Sequence, residues 1–289
     1  MTDRSFTIDT PDGTIGAWRG QGTAGPVAVL LHGGPGMSAT YLDPLTDLLA
    51  DVFSTVGYQQ RGLPPTTVRD PYTVEANVAD AVAVVDQVAG ERAWIVGHSW
   101  GGHLALHMLV ACPERLQGAI ILDPLGAYLE VFEEFGEHMT APLSDAQRAR
   151  AEEIDAKEER GEATPEESRE AFSLVWPSYF ADPATAPPAP DLSFDVAAFA
   201  GTIASVREHE QAGTLTHGLP HVPSSIPVLF VHGAKSPMPV RTTTMTAELI
   251  PHARVEILPS AGHMLWHEDP AGTHDAISRF VAESASLPA

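Results

Sequence analysis

Short, continuous apolar runs recur along this sequence, and segments with a helical pattern lie between most of them. The runs are continuous rather than alternating, which is typical of strands that are buried on both faces of a sheet. They occupy residues 27–32, 53–58, 93–98, 118–123, 227–233 and 254–259. Strands that alternate with helices favour a mostly parallel, doubly wound sheet of the α/β class.

The segment between the second and third runs has the clearest helical period. Thr73 is a suitable N-cap for this helix, and Gly90 is a suitable C-terminal stop. Five valines recur at spacings of three and four residues, which places them on one helix face: Val74, Val78, Val82, Val85 and Val88. The spacing therefore predicts a helix over residues 73–90.

The alternation of strands and helices breaks after Asp123. Residues 124–223 hold no convincing buried strand, but they contain a charge-dense helical segment at 144–162 and a Pro-rich stretch at 181–192. We therefore expect a core built from residues 1–123 and 224–289. Residues 124–223 are expected to form a helical cap inserted over the sheet.

Composition and charge restrict the partners. The 289 residues include 16 Lys and Arg against 38 Asp and Glu, a net charge of −22. Such a surface repels phosphate backbones and anionic membranes, so neither nucleic acid nor a membrane is an expected partner. The N-terminus lacks the apolar core of a signal peptide, and no run approaches the roughly 18 apolar residues of a membrane span. The expectation is a cytoplasmic protein that acts on a small molecule, and its oligomeric state stays open.

The sequence GHSWGG at residues 97–102 follows an apolar run and precedes an apolar helical pattern. It contains G-x-S-x-G, which between a strand and a helix forms a sharp turn with the serine at its tip. The hydroxyl of Ser99 would then lie above the sheet edge, beside the partly positive end of the next helix. This context predicts Ser99 as a nucleophile.

The sequence HGGPG at residues 32–36 directly follows the first apolar run. It is either an ordinary tight turn or a loop in which the absence of side chains leaves a backbone N–H group accessible to a negatively charged group. Acyl transfer needs such groups, because two N–H donors must face the oxyanion that develops.

Together these motifs resemble the α/β-hydrolase superfamily and, within it, the proline iminopeptidase group. That group pairs an H-G-G-P-G loop with a G-x-S-W-G elbow, and its D-Q-R-G stretch is similar to QQRG at 59–62 here. The resemblance covers the expected core and is much weaker in the cap. It implies an oxyanion hole formed by the amides of Gly34 and Trp100, with no cofactor.

A serine nucleophile needs a base and an acid, in the chain order Ser, acid, His for this fold. His263, in an A-G-H context after the last apolar run, is the expected base, and His267 is the alternative. The family's usual acid position, after the run at 227–233, holds Ser236, which cannot carry the negative charge that stabilises an imidazolium.

The missing acid has two interpretations: it has moved, or the site is weakened or dead. Some members of the superfamily carry the acid at the end of the strand after the elbow helix, where this chain has Asp123. We therefore hypothesise a Ser99–His263–Asp123 triad, with the alternative that Asp123 merely closes its strand.

Two histidine pairs at i, i+4, His103/His107 and His263/His267, raise the question of a metal. Neither has the H-E-x-x-H form, so no metal is expected.

The substrate is less well determined. Proline iminopeptidases hold the substrate amine with cap carboxylates, and Arg207 stands where the family stretch would place one. Glu208 and Glu134 are the substitutes that the cap offers, although Glu134 also suits a plain acidic helix. Trp176 either lines an acyl pocket or belongs to the hydrophobic core of the cap.

Three functions follow from these residues. The first is a serine hydrolase that cleaves a small ester, lactone or amide through an acyl-enzyme. The second is a proline iminopeptidase, and the third is a non-hydrolytic or binding protein on a hydrolase scaffold, motivated by Ser236.

Overall fold

Eight strands form a single sheet in the computed structural model, which describes residues 4–22 and 25–285. The strands are β1 (Ser5–Thr10), β2 (Gly13–Arg19), β3 (Val27–Leu31), β4 (Ser54–Tyr58), β5 (Ala93–His98), β6 (Leu116–Leu122), β7 (Val228–Gly233) and β8 (Arg254–Leu258). Their order across the sheet is β1-β2-β4-β3-β5-β6-β7-β8. β1 and β2 pair antiparallel, as do β2 and β4, and every pairing among β3–β8 is parallel. All six apolar runs are strands, so the predicted mostly parallel sheet is confirmed.

The helices lie between these strands. They are α1 (Asp43–Leu48), α2 (Val74–Ala89), α3 (Trp100–Ala111), α4 (Phe132–Thr140), α5 (Asp145–Glu159), α6 (Pro165–Val175), α7 (Val196–Gln211), α8 (Thr214–Gly218), α9 (Val240–Glu248), α10 (Leu265–Glu268) and α11 (Pro270–Ser284). The predicted helix over 73–90 is α2, and the Thr73 hydroxyl accepts the Ala76 N–H at 3.2 Å. No helix within residues 4–22 and 25–285 is both long and apolar enough to span a bilayer.

Successive strand residues pack on opposite faces of the sheet, as the pleat requires. Val29 and Leu31 of β3 belong to the hydrophobic cluster on the face covered by α2 and α3. Ala28 and Leu30 belong to the cluster on the other face, with apolar residues of α1 and α11. Burial on both faces explains why these strands are apolar throughout.

Helices α4–α8 occupy the chain between β6 and β7. Every residue of 124–223 has a described backbone, and the stretch contains no strand. A small apolar cluster of Ile154, Ala163 and Val196 ties α5 to α7. The division into core and cap stays a prediction, and the ends of the expected core at 1–3 and 286–289 lie outside the described residues.

Candidate active site

Ser99 lies at the tip of a strained turn between β5 and α3. Its φ of +56° and ψ of −119° belong to a region that side chains with a Cβ rarely adopt. Among the residues that the structure describes, only Ser99 and Asp123 combine a Cβ with a positive φ. Strain of this kind persists only where the surrounding structure imposes it, and it is concentrated at functional sites.

Asp123 directly follows β6 and reaches the imidazole of His263. The Asp123 Oδ1 atom lies 2.7 Å from His263 Nδ1, and both side chains are almost completely buried. The other carboxylate oxygen accepts the Gly233 N–H at 3.0 Å. The carboxylate occupies Nδ1. The other ring nitrogen of His263, Nε2, has no hydrogen-bond partner in the described chain.

Ser236 supports this carboxylate. Its hydroxyl donates to Asp123 Oδ1 at 2.7 Å and accepts the Met238 N–H at 3.1 Å. The residue at the family's usual acid position therefore hydrogen-bonds the acid that comes from the neighbouring strand.

The surroundings of Asp123 favour its ionised form. Burial alone raises the pKa of this carboxyl, but its electrostatic interactions with His232 and His263 and the hydrogen bonds from His263 and Gly233 outweigh that effect. The net effect is a pKa below the ordinary value. Asp123 is therefore a carboxylate at neutral pH.

The HGGPG loop lies against Ser99. A Cβ at Gly33 would be only 2.8 Å from the Ser99 Cβ, so the loop approaches the elbow as closely as a glycine allows. Gly34 has a φ of +59°, which turns the backbone there. Neither the Gly34 N–H nor the Trp100 N–H has a hydrogen-bond partner within the described residues. These are the two amides that the resemblance to proline iminopeptidases implies as the oxyanion hole.

His32 fixes the peptide that carries the Gly34 N–H. The backbone N–H of Gln60 donates to His32 Nε2 at 3.1 Å, so Nδ1 holds the ring proton and donates it to the Gly33 carbonyl at 2.9 Å. The Gly33 carbonyl and the Gly34 N–H share one planar peptide, so this bond sets the direction of the amide. Burial lowers the pKa of His32 to about 4, which keeps the ring neutral.

Gln60, from the QQRG stretch, connects this loop to the elbow. Its side-chain Nε2 donates to the His32 carbonyl at 2.9 Å, and its Oε1 accepts the Trp100 indole N–H at 2.8 Å. The next residue, Arg61, forms a buried ion pair with Asp80 at 2.9 Å. Through Gln60, this stretch therefore contacts both the loop that carries the Gly34 N–H and the residue that carries the Trp100 N–H.

The structure brings the His263 ring beside the elbow. The rings of His98 and His263 have centroids 4.5 Å apart, and His98 directly precedes Ser99. No hydrogen bond joins the Ser99 hydroxyl to His263 within the described chain. Bonds between a nucleophile and its base are often long before substrate binds, so this arrangement is compatible with the predicted pair.

Aromatic side chains from residues 124–223 cover His263. The Tyr179 ring stacks on the imidazole at 5.1 Å, and the Phe135 ring lies 6.3 Å away. The Tyr179 carbonyl also accepts the His263 N–H at 2.7 Å. Tyr179 belongs to an apolar segment, residues 171–180, which by sequence alone either lines an acyl pocket or forms the hydrophobic core of the predicted cap.

None of the three predicted substrate-binding residues hydrogen-bonds Ser99, Asp123 or His263 in the described chain. Glu134 pairs with Arg241, and Glu208 is exposed on α7. Trp176 is buried, donates its indole N–H to the Pro187 carbonyl at 2.7 Å and packs on Phe172 and Phe180. Their roles in binding stay predictions.

The side chains of His267, His103 and His107 make no hydrogen bond to Ser99 or Asp123 in the described chain. His267 lines a surface cleft of about 520 Å³ with Lys235 and Glu268. His103 and His107 are buried in α3 and bond each other through their Nε2 atoms at 3.1 Å.

Comparisons with known proteins show the family and the fold. The model of the alpha/beta hydrolase family matches residues 28–276. A putative carbamate hydrolase of Caulobacter sp. strain K31 is 33% identical over 116 residues, which are 39% of this chain and 43% of that protein. A proline iminopeptidase of Thermoplasma volcanium is 36% identical over 100 residues, 34% of each chain. The chain thus spans less than half the length of these curated relatives.

Solved structures share the whole fold at low identity. A serine hydrolase from the polyaromatic hydrocarbon-degrading bacterium Cycloclasticus zankles has a TM-score of 0.69 and 18% identity, over 98% of this chain and 99% of its own. A hydrolase from Pseudomonas aeruginosa has a TM-score of 0.67 and 20% identity, over 97% and 99%. Since the family model matches most of the chain, the protein belongs to the alpha/beta hydrolase family.

Proposed function

We propose that this protein is a serine hydrolase that cleaves a carboxylic ester, lactone or amide of a small molecule through an acyl-enzyme. The observation that carries the proposal is the 2.7 Å bond from His263 to Asp123, next to a strained Ser99. A buried carboxylate on Nδ1 leaves Nε2 to take a proton, as the base of an activated serine must.

The chemistry then proceeds in two halves. The Ser99 hydroxyl attacks the substrate carbonyl, and its proton passes to His263 Nε2. The charge on the carbonyl oxygen faces the Gly34 and Trp100 amides, which have no other partner in the described chain. His263 gives the proton to the leaving group, and a water molecule later releases the acid by the same route.

The surroundings of His263 support a small, largely apolar acyl group. Tyr179 and Phe135 cover the imidazole. Glu134, which precedes Phe135 in sequence, already has a cationic partner in Arg241. An apolar acyl portion therefore fits this site better than one that carries a charge.

Proline iminopeptidase activity is the second candidate, because relatives with that name match part of the chain. It needs a free carboxylate for the substrate amine. Glu134 is engaged by Arg241, and the exposed Glu208 makes no hydrogen bond to Ser99, Asp123 or His263 in the described chain, which makes this the weaker proposal.

A fluorophosphonate probe and two chromogenic substrates test these proposals. We expect the probe to label the wild type once, and Ser99→Ala to lose both labelling and p-nitrophenyl ester hydrolysis. The exposed Ser173 supplies a matched control, so Ser173→Ala should behave as wild type. A folded wild type that neither labels nor hydrolyses esters would contradict the proposal and favour a binding protein. Fast release of proline from proline p-nitroanilide would instead support the second candidate.

A further inference from the structure

Three parts of the site are joined by one chain of hydrogen bonds through Tyr41 and His98. These parts are the oxyanion loop at Gly33, the elbow at His98 and the loop of His263. Tyr41 Oη lies 2.5 Å from the Gly33 nitrogen and 2.9 Å from His98 Nδ1. His98 Nε2 lies 3.1 Å from the His263 carbonyl oxygen.

Chemistry fixes the direction of each bond. The Gly33 N–H can only donate, so the Tyr41 oxygen accepts it. The His263 carbonyl can only accept, so His98 Nε2 carries the ring proton and donates. A neutral His98 then has an unprotonated Nδ1, which accepts the phenol proton of Tyr41.

Burial keeps both groups in these states. Tyr41 is 7% exposed and His98 is 2% exposed. Burial raises the pKa of the Tyr41 phenol and lowers the pKa of His98 well below its usual range. The indole of Trp266 packs edge-on against His98 at 4.8 Å and holds the ring in place.

We propose that Tyr41 and His98 are positioning residues, which hold the oxyanion loop at a fixed distance from the nucleophile and from His263. The proposal rests on the proposed serine hydrolase function. Neither side chain takes part in proton transfer. They act through Gly33, whose peptide carries the Gly34 N–H, and through the backbone of His263.

The His98 link also joins segments that are far apart in sequence. Tyr41 is 57 residues from His98 in sequence, and His98 is 165 residues from His263. Local backbone geometry cannot couple segments so far apart. A displacement of about 1 Å at such a site can lower a rate by about 100-fold.

The first test is Tyr41→Phe, which removes only the phenol oxygen. We expect kcat to fall about 10- to 100-fold while KM changes less than about threefold, because the loss is in transition-state stabilisation. The affinity for an alkyl boronic acid, whose tetrahedral adduct places an oxygen in the oxyanion hole, should weaken by a similar factor. Tyr58→Phe is the matched control, since Tyr58 is 1% exposed and its hydroxyl has no partner in the described chain.

A double-mutant cycle tests whether the two residues act as one chain. His98→Leu breaks both of its bonds, so adding Tyr41→Phe should cause little further loss of kcat. Losses that multiply would show independent effects and overturn the proposal. If His98→Leu does not fold, His98→Gln replaces it. The amide nitrogen of glutamine stands in for His98 Nε2 and keeps the bond to the His263 carbonyl, whereas nothing replaces Nδ1 as the acceptor for Tyr41.

Each result has a distinct meaning. Tyr41→Phe with the kcat and boronate affinity of Tyr58→Phe would overturn the positioning role and leave the proposed function standing. Activity that survives in Ser99→Ala would overturn the proposed function itself. Rates are expressed per mole of active site by probe titration, so that a loss of folded protein is not counted as a loss of kcat.

Discussion

Asp123 and His263 lie 140 residues apart in sequence, yet Oδ1 of one is 2.7 Å from Nδ1 of the other. The proposed acid therefore lies at the end of β6 rather than in the turn after β7. These strands are parallel neighbours, and the Asp123 N–H donates to the Val231 carbonyl at 2.9 Å. Because their carboxyl ends meet at one sheet edge, a carboxylate from either strand can reach the same imidazole.

Asp123→Asn tests this acid. The amide keeps the shape of the side chain but cannot stabilise an imidazolium, and it allows the wrong tautomer of His263. We expect kcat for ester hydrolysis to fall on the order of 10⁴-fold, with the fold unchanged by circular dichroism. A variant that keeps more than about a tenth of the wild-type kcat would remove Asp123 from the mechanism.

Restoring the acid to the β7 turn provides a second test. Ser236 Oγ lies 3.5 Å from His263 Nδ1, so an aspartate at 236 would place a carboxylate within reach of the ring. We expect Asp123→Asn/Ser236→Asp to recover at least about tenfold in kcat over Asp123→Asn alone. Ser236→Asp in the wild-type background is the control. It should lose activity, because it places two carboxylates side by side. Equal kcat for the double and single variants would contradict the shared-edge explanation.

Ser236→Ala measures what the hydroxyl contributes. It removes one donor from the buried carboxylate and leaves the Met238 N–H without its acceptor. We expect a loss of about 1–3 kcal/mol in unfolding free energy and a fall in kcat of less than about tenfold. Urea unfolding and ester kinetics measure the two effects. A collapse of kcat comparable to that of Asp123→Asn would show that Ser236 is more than a support for the acid.

The sequence predicted those features that depend on local pattern. Strands β3–β8 follow from apolar runs, α2 follows from its valine period and its Thr73 cap, and the elbow follows from GHSWGG. Tyr41 could not be found in this way, because nothing near it in sequence marks it as the partner of His98. The hydrogen bond from the Ser236 hydroxyl to Asp123 could not be predicted either, since the two residues are 113 positions apart. Both depend on which strand ends meet, a property of the folded sheet.

Residues 124–223 are the least predictable region for the same reason. Trp176 fits an acyl pocket or an apolar core by sequence, and the structure places it against Phe172 and Phe180. By sequence Glu134 could be a free carboxylate, but in the structure it pairs with Arg241, which lies outside residues 124–223. Long-range partners decide the environment of each.

Arg61→Met tests the structural role of the QQRG stretch. Arg61 and Asp80 form a buried pair with side chains 3% and 6% exposed, and Arg61 also donates to the Pro71 carbonyl at 2.6 Å. Removing the guanidinium leaves a buried carboxylate unpaired, so we expect a loss of about 3–5 kcal/mol in unfolding free energy.

The exposed pair of Arg160 and Glu162, 55% and 60% exposed, gives the matched control. Arg160→Met should change the urea midpoint little, because solvent screens exposed ion pairs. Similar midpoints for the two variants would mean that the buried pair is not a main determinant of stability.

Stability should fall between about pH 6.5 and pH 4.5 because of buried neutral histidines. Burial lowers the pKa of His32 and His103 to about 4 and lowers the pKa of His107 further. Unfolded histidine titrates near about pH 6.5, so in this window the unfolded state binds more protons and is favoured as the pH falls. The carboxyl of Asp123, with its lowered pKa, stabilises the fold throughout this window and loses that effect only below about pH 4.

His107→Gln isolates one of these contributions. Glutamine keeps a donor for His103 Nε2 but does not titrate, so the fall in unfolding free energy from pH 7 to 5.5 should shrink by about 1 kcal/mol. His221 is exposed, and His221→Gln should leave the pH dependence as in the wild type. Urea unfolding at several pH values measures all three proteins. If the curves of His107→Gln and the wild type run parallel, His107 takes up its proton equally in both states, and the acid sensitivity has another origin.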